Sequence, residues 1–158
     1  SVNSSMDERG AFRQFFEAHQ RGVFSLLVHL RLEENQAAEL TQQVFVRVWE
    51  TRHQYHNDEE KTAACYRYAL SWGRSAAGGR RASSTARDDG PVFQALQDLP
   101  EEERVAAVLS HIAGLPPEQI ARVLQNPVGR VRSVLRRAWN QLAAVLAPHA
   151  ASDSSGVE

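Results

Sequence analysis

The sequence predicts an all-α fold: two small helical domains joined by a flexible linker, the C-terminal one a helix-turn-helix. Three observations lead there. Apolar residues recur at steps of three and four along most of the chain, the spacing that keeps one helical face buried. No two-residue alternation is long enough to make a strand. Between the two periodic halves, "GGRRASSTARDDGP", Gly78 to Pro91, is rich in glycine, serine and charge and has too little apolar surface to offset the entropy of ordering it.

In the first helix, from Gly10, the buried stripe is Phe12, Phe15, Phe16, Val23, Phe24, Leu26, Leu27 and Leu30. The second carries Ala37, Leu40, Val44, Phe45, Val48 and Trp49 on one face, with Glu39, Gln42, Gln43, Arg47 and Glu50 around the others. After the polar "RHQYHNDEEK", a third helix is predicted from Thr62 to Ala77; Gly73 weakens it by ~1 kcal/mol relative to alanine. Beyond the linker, helical pattern resumes at Val92 to Leu96. Pro100 and the carboxylates of Glu101, Glu102 and Glu103 suit a helix N-terminus, because proline needs no partner there and acids face the positive end of the dipole. Gly114 stops that helix, Pro116 and Pro117 start the next, and it ends near Gln125 and Asn126; Pro127 starts the last, to Leu146. The expected boundaries are therefore 9–77 and 92–147 for the domains, 78–91 for the linker, and 148–158 for a disordered tail. Met6 is the only methionine, and residues 1–5 before it are set apart from the fold.

Composition narrows the function. A net charge of -1 argues against coating nucleic acid by bulk electrostatics, so any DNA contact must be local. No apolar run approaches the ~20 residues that span a bilayer, and no secretory signal pattern opens the chain; a cytoplasmic protein without membrane insertion is expected. Cys65, the single cysteine, excludes an internal disulfide framework. His53, His56 and Cys65 lack a fourth ligand at sensible spacing, so no metal is expected, and no cofactor. His19, His29 and His111 sit in helical patterns. With no phosphate loop, nucleophile elbow or paired-carboxylate signature, the chain is not expected to be an enzyme.

The local charge lies in "IARVLQNPVGRVRSVLRRAWNQLAAVL", which has no acidic residue between Pro127 and Pro148. At ~100° per residue, Val128, Val131, Val134, Leu135, Ala138, Leu142 and Val145 cluster on one side and Arg130, Arg132, Ser133, Arg136, Arg137 and Asn140 on the other. A short helix with Ile120, Ala121 and Leu124 inward precedes it across a tight joint. Two helices with such a turn, the second basic on its free face, can seat that second helix in the major groove. Guanidiniums fork onto phosphate oxygens or guanine edges. Arg130, Arg132 and Ser133 are the candidate base readers; Arg136 and Arg137 are candidate phosphate clamps, with Arg122 helping from the preceding helix.

"LPEEERVAAVLSHIAGLPPEQIARVLQNPVGRVRSVLRRAWNQL" resembles the fourth conserved domain of the extracytoplasmic-function (ECF) family of bacterial RNA polymerase sigma factors. That pattern reads L-P-x-x-x-R, then G-L-x-x-x-E-I-A, then P-x-G-T-V-x-S-R-L-x-R-A. Leu99, Pro100, Arg104, Gly114, Leu115, Ile120, Ala121, Pro127, Gly129, Val131, Ser133, Leu135, Arg137 and Ala138 match, with Gln119 at the E position. Arg130 stands in place of threonine, Val134 of arginine, and Gln125 where the turn often has glycine. The resemblance implies recognition of an upstream promoter element.

"NQAAELTQQVFVRVWE" is similar to D-A-E-D-L-V-Q-E-x-F-x-x-x-W of the second sigma domain, whose helix docks on RNA polymerase. Leu40, Gln42, Phe45 and Trp49 match; Gln36, Ala38 and Gln43 replace carboxylates. Phe45 and Trp49 suit a core stripe, leaving Glu39, Gln42, Gln43 and Arg47 as polymerase-binding candidates. The third helix departs further from the family's promoter-melting segment, with Ala64, Leu70, Ser71 and Ser75 at its Trp, Arg, Asn and Asp positions. Unstacked bases need aromatic platforms and cations, for which Tyr66, Arg67, Tyr68, Trp72, Arg74, Arg80 and Arg81 are the candidates; core aromatics beside a basic linker are the alternative. The resemblance thus implies a monomeric alternative sigma factor whose partners are core RNA polymerase, promoter DNA and an anti-sigma factor. The second reading is a sigma-like regulatory protein that binds polymerase or an anti-sigma partner without opening promoters. The third is a dimeric helix-turn-helix repressor.

Overall fold

A computed structural model describes the backbone of residues 2–78 and 90–155, and side chains over 6–78 and 90–147. An N-terminal unit contains α1 (Val2–His29), α2 (Glu34–Glu50) and α3 (Asp58–Ala77); a C-terminal unit contains α4 (Gly90–Asp98), α5 (Glu101–His111), α6 (Pro117–Leu124) and α7 (Val128–Ser155). A 3-10 turn at Arg52–Gln54 leads into α3, and there is no strand among the described residues.

The apolar stripes face one another as their spacing requires. Val23, Leu26, Leu27 and Leu30 of α1 are buried with Ala37, Val44, Phe45 and Val48 of α2. Phe16 meets Phe45 edge-on at 4.9 Å, and Phe12 meets Trp49 at 5.1 Å. α3 starts four residues before Thr62 because Asn57 caps it: its Oδ1 accepts the Glu60 N–H at 2.8 Å, and Asp58, Glu59 and Glu60 fill the first turn. Gly73 is a packing residue. A Cβ there would meet Leu27 Cδ2 at 2.7 Å and Leu30 Cδ1 at 2.9 Å, so its helix penalty accompanies a close approach of α3 to α1.

In the C-terminal unit, the buried Arg104 donates Nη1 to Leu99 O at 2.9 Å and Gln97 O at 3.3 Å, satisfying carbonyls at the end of α4. Gly114 takes φ +72 and reverses the chain after α5. Gln125 takes φ 55 and ψ 42, the left-handed cap between α6 and α7. Val131, Val134, Leu135, Ala138 and Leu142 form the buried side of α7.

The two units pack directly on each other, α1 against α5 and α3 against α6. One contiguous core joins Val23 and Tyr66 to Leu109, Ile120 and Val131, while Ala95, Leu96, Leu99, Ala107, Ala138 and Leu142 make a second cluster. The His29 ring also crosses the seam, 4.8 Å from the Phe93 ring and with its Nδ1 3.0 Å from Gln97 Nε2. Residues 79–89, most of the expected linker, lie outside the described residues. The backbone of α7 continues past Pro148 to Ser155, where Ala147, Ala150 and Ala151 favour helix and a proline costs its own hydrogen bond without ending the run.

Candidate functional site

The helix-turn-helix is built as its sequence requires: α6 begins at Pro117, the left-handed Gln125 turns the chain within three residues, and Val128 opens α7. Four of the six DNA-binding candidates, Arg130, Ser133, Arg136 and Arg137, line one shallow concavity with Gly129. All four are exposed, and their spacing covers about a third of the helix circumference. The absence of a side chain at Gly129 leaves the N-terminal end of this face open; a Cβ there would meet nothing within 4 Å.

The cations are also held by the protein's own carboxylates. Arg130 Nη2 lies 2.5 Å from Glu102 Oε1, and Arg137 Nε lies 3.9 Å from Glu103 Oε1. Glu102 and Glu103 belong to the first turn of α5, where acids also complement the helix dipole. Arg132 points elsewhere, with Nη2 2.7 Å from Glu118 Oε1 of α6, and Arg122 Nη2 lies 3.4 Å from Glu59 Oε2 of α3. The arginine side chains in these pairs are half exposed or more, and with the exposed carboxylates of Glu59, Glu102 and Glu118 each pair contributes ~0–1 kcal/mol and can exchange for a phosphate, whereas Glu103, the partner of Arg137, is buried. The acids position the guanidiniums and lower, without abolishing, the positive field of the face. Sequence reading missed them because only tertiary packing brings α5 beneath α7.

The promoter-melting candidates separate. Tyr66 is fully buried, its Oη 2.9 Å from His19 Nδ1, and burial pushes its phenol up; as packed here it offers no stacking face, a correction to its expected role. The cause is position: Tyr66 lies on the α1-facing side of α3. Arg67 donates Nε and Nη2 to Arg122 O at 3.1 and 2.9 Å. Arg74 Nε donates to Glu101 Oε1 at 2.9 Å. Tyr68 and Trp72 stay partly exposed, their rings 5.2 Å apart and tilted by 34°. Arg80 and Arg81 lie outside the described residues.

Glu39, Gln42, Gln43 and Arg47, the polymerase-binding candidates, are brought together in one groove with Val46, Glu50 and Trp72. Val46 is 55% exposed, a large apolar side chain at the centre of a polar row. Arg47 and Glu50 pair at 3.8 Å. Phe45 is in the core and Trp49 packs edge-on against Phe12. The signal for Val46 was present, since it falls off the buried stripe of α2. None existed for Trp72, which only the pairing of α2 with α3 puts there.

No group of three His, Cys, Asp or Glu able to hold a metal occurs among the described residues. Cys65 is fully buried, and burial pushes its thiol up, away from thiolate chemistry. His111 packs edge-on against Trp139 at 5.0 Å. No described helix is long and apolar enough to cross a membrane.

The helix-turn-helix thus carries a cationic face and packs on a three-helix unit with a separate amphiphilic groove. Comparison with known proteins carries this further. The family Sigma-70, region 4 matches residues 90–142, which spans α4 through the first half of α7. The RNA polymerase sigma-H factor of Pseudomonas aeruginosa is 26% identical over 171 residues, covering 89% of this chain and 89% of that protein. The ECF RNA polymerase sigma-E factor of Escherichia coli (strain K12) is 45% identical over 47 residues, 30% of this chain and 25% of that protein. Among solved structures, CnrH in complex with the cytosolic domain of CnrY superposes with TM-score 0.72 at 26% identity, covering 89% of this chain and 90% of that one. The sigma factor RpoE in complex with the anti-sigma factor NepR from Bartonella quintana shares the fold, with TM-score 0.66 at 18% identity over 86% of this chain and 96% of that one. Residues 90–142 thus match Sigma-70, region 4, and the chain as a whole is similar to RNA polymerase sigma factors, with an ECF sigma factor among its relatives over 47 residues.

Proposed function

We propose that this protein is an alternative sigma factor that binds core RNA polymerase and directs promoter-specific initiation. The observation that carries this reading is the coexistence in one chain of the α7 face, Arg130, Ser133, Arg136 and Arg137, with the α2 groove of Glu39, Gln42, Gln43 and Arg47. Arginines at the start of α7 read base edges and those a turn later clamp phosphates. The α2 groove holds polymerase, and that enzyme supplies all the catalysis; the sigma chain itself catalyses nothing and works where polymerase is, in the cytoplasm. Each unit alone makes few DNA contacts. Tethering both to polymerase raises their effective concentration on a promoter. Because one structural neighbour was solved with the anti-sigma factor NepR and another, CnrH, with the cytosolic domain of CnrY, an anti-sigma factor is a third partner in this reading.

Run-off transcription tests the proposal: with core polymerase, the protein should yield a promoter-dependent transcript that neither component gives alone. The second reading, a sigma-like regulator that does not open promoters, draws support from the buried ring of Tyr66 and the engaged guanidinium of Arg67. It predicts polymerase binding with no such transcript.

A further inference from the structure

The first turn of α5 carries three acids, Glu101, Glu102 and Glu103, and each faces a different arginine. Glu101 pairs with Arg74 at 2.9 Å and Glu102 with Arg130 at 2.5 Å, both at the surface. Glu103 is unlike them. It is only 7% exposed, its Oε2 has no hydrogen-bond partner among the described residues, and its Oε1 lies 3.9 Å from Arg137 Nε. The sequence explains the burial. Glu103 and Ala107 are four residues apart on one face of α5, and Ala107 packs in the cluster that holds Ala138, the chain neighbour of Arg137. Two fully buried alanines bring α5 close beneath α7 and carry the carboxylate in with them.

The helix dipole accounts for an acid in this turn but not for sinking it, because Glu101 and Glu102 complement the same dipole at the surface. A carboxylate removed from water is costly unless a cation faces it, and Arg137 is the one cation within 4 Å of Glu103 among the described residues. A pair with one partner buried is also screened less by salt than an exposed pair such as Glu102 with Arg130. The Arg137 side chain stays 55% exposed, in the concavity it shares with Arg130, Ser133 and Arg136. With Nε nearest Glu103, the two Nη groups are left for an outside acceptor, and a planar guanidinium held at one edge presents the other in a set direction.

We propose that Glu103 is a positioning residue for DNA recognition, a carboxylate sunk beneath α7 that fixes the Arg137 guanidinium from behind so that its outer edge clamps one particular phosphate of the upstream duplex. The identity of the duplex rests on the sigma reading above; the hold of Glu103 on Arg137 does not.

Two readouts on the full chain test this. In the free protein, nitrogen-15 relaxation of the Arg137 Nε–H should show a rigid side chain that loosens in Glu103→Gln, a substitution of the same shape. With core polymerase, run-off transcription from promoters carrying a single methylphosphonate, moved in turn along the upstream phosphates, should reveal one position that costs about tenfold. In Glu103→Gln, output from the unmodified promoter should fall by about the same factor, and the penalty at that one position should shrink to about twofold or less. Arg137→Lys keeps the charge without the fork and should lose the same penalty, which carries the test if Glu103→Gln fails to fold. Glu102→Gln, which frees Arg130 from a surface pair, should leave that penalty in place. An Arg137 side chain equally rigid without Glu103, an unchanged phosphate pattern in Glu103→Gln, or the same loss in Glu102→Gln would overturn the proposal. No transcript from any promoter would instead sink the sigma reading, and the relaxation of Arg137 would then decide by itself whether Glu103 holds it.

Discussion

Replacing Gly22 by alanine should destabilise the protein even though alanine is the better helix former. Gly22 lies within α1, and a Cβ there would overlap Tyr66 Oη while standing 3.0 Å from Ala113 Cβ and 3.1 Å from Ala113 Cα. Neither neighbour can retreat easily. The Tyr66 ring is fully buried and its hydroxyl is fixed by His19, and Ala113 belongs to the turn that packs the C-terminal unit on α1. Overpacking of this kind costs ~1–3 kcal/mol, and a broken buried hydrogen bond adds about 1 kcal/mol. The gain in helix propensity returns ~1 kcal/mol. The net expectation is a loss of about 1–3 kcal/mol. Gly10 in the same helix is the control: nothing lies within 4 Å of its added Cβ, so Gly10→Ala should stabilise by ~0.5–1 kcal/mol. Urea denaturation followed by far-UV circular dichroism reads both. If the two variants shift in the same direction, the close packing of α1 on Tyr66 and Ala113 is wrong.

Gln125 occupies a left-handed conformation that glycine adopts without strain, so Gln125→Gly should stabilise by roughly 1 kcal/mol in the same denaturation assay. Burial holds the His19 imidazole below its ordinary value of 6.5, outweighing the opposing pull of Asp58, while Lys61 lowers it further. The unfolded chain therefore takes up this proton first on acidification. Stability should fall as pH drops below ~6.5, and His19→Gln should flatten that part of a stability-versus-pH curve. Trp72→Ala should weaken core polymerase binding about tenfold with little change in salt dependence, as loss of an apolar contact does, measured by fluorescence anisotropy at two ionic strengths.

Periodicity made the helices legible, and punctuation made their ends legible: Pro100, Gly114 and Pro117 fall where α5 and α6 start or stop. The early start of α3 was also written locally, as asparagine followed three residues later by glutamate, Asn57 and Glu60. What could not be read is long-range. Tyr66 and Trp72 lie on one helix with similar chemistry, yet one is in the core and the other borders the α2 groove. Their fates depend on which neighbour each side of α3 meets. Likewise the arginines of α7 announce a cationic face, but the carboxylates that hold Arg130 and Arg137 come from α5, about thirty residues upstream, and only the packing of α5 under α7 reveals them.

Under the proposed function, the outward face of α7 selects the upstream promoter element. Transcription by core polymerase plus this protein, run on a library of upstream sequences with the native chain and with Arg130→Ala, tests it most directly. Arg130→Ala should relax the preference at one or two adjacent base pairs, costing ~1–3 kcal/mol of discrimination there, while overall transcription from the best sites falls less. An unchanged preference profile after this substitution, and after Arg136→Ala, would contradict it.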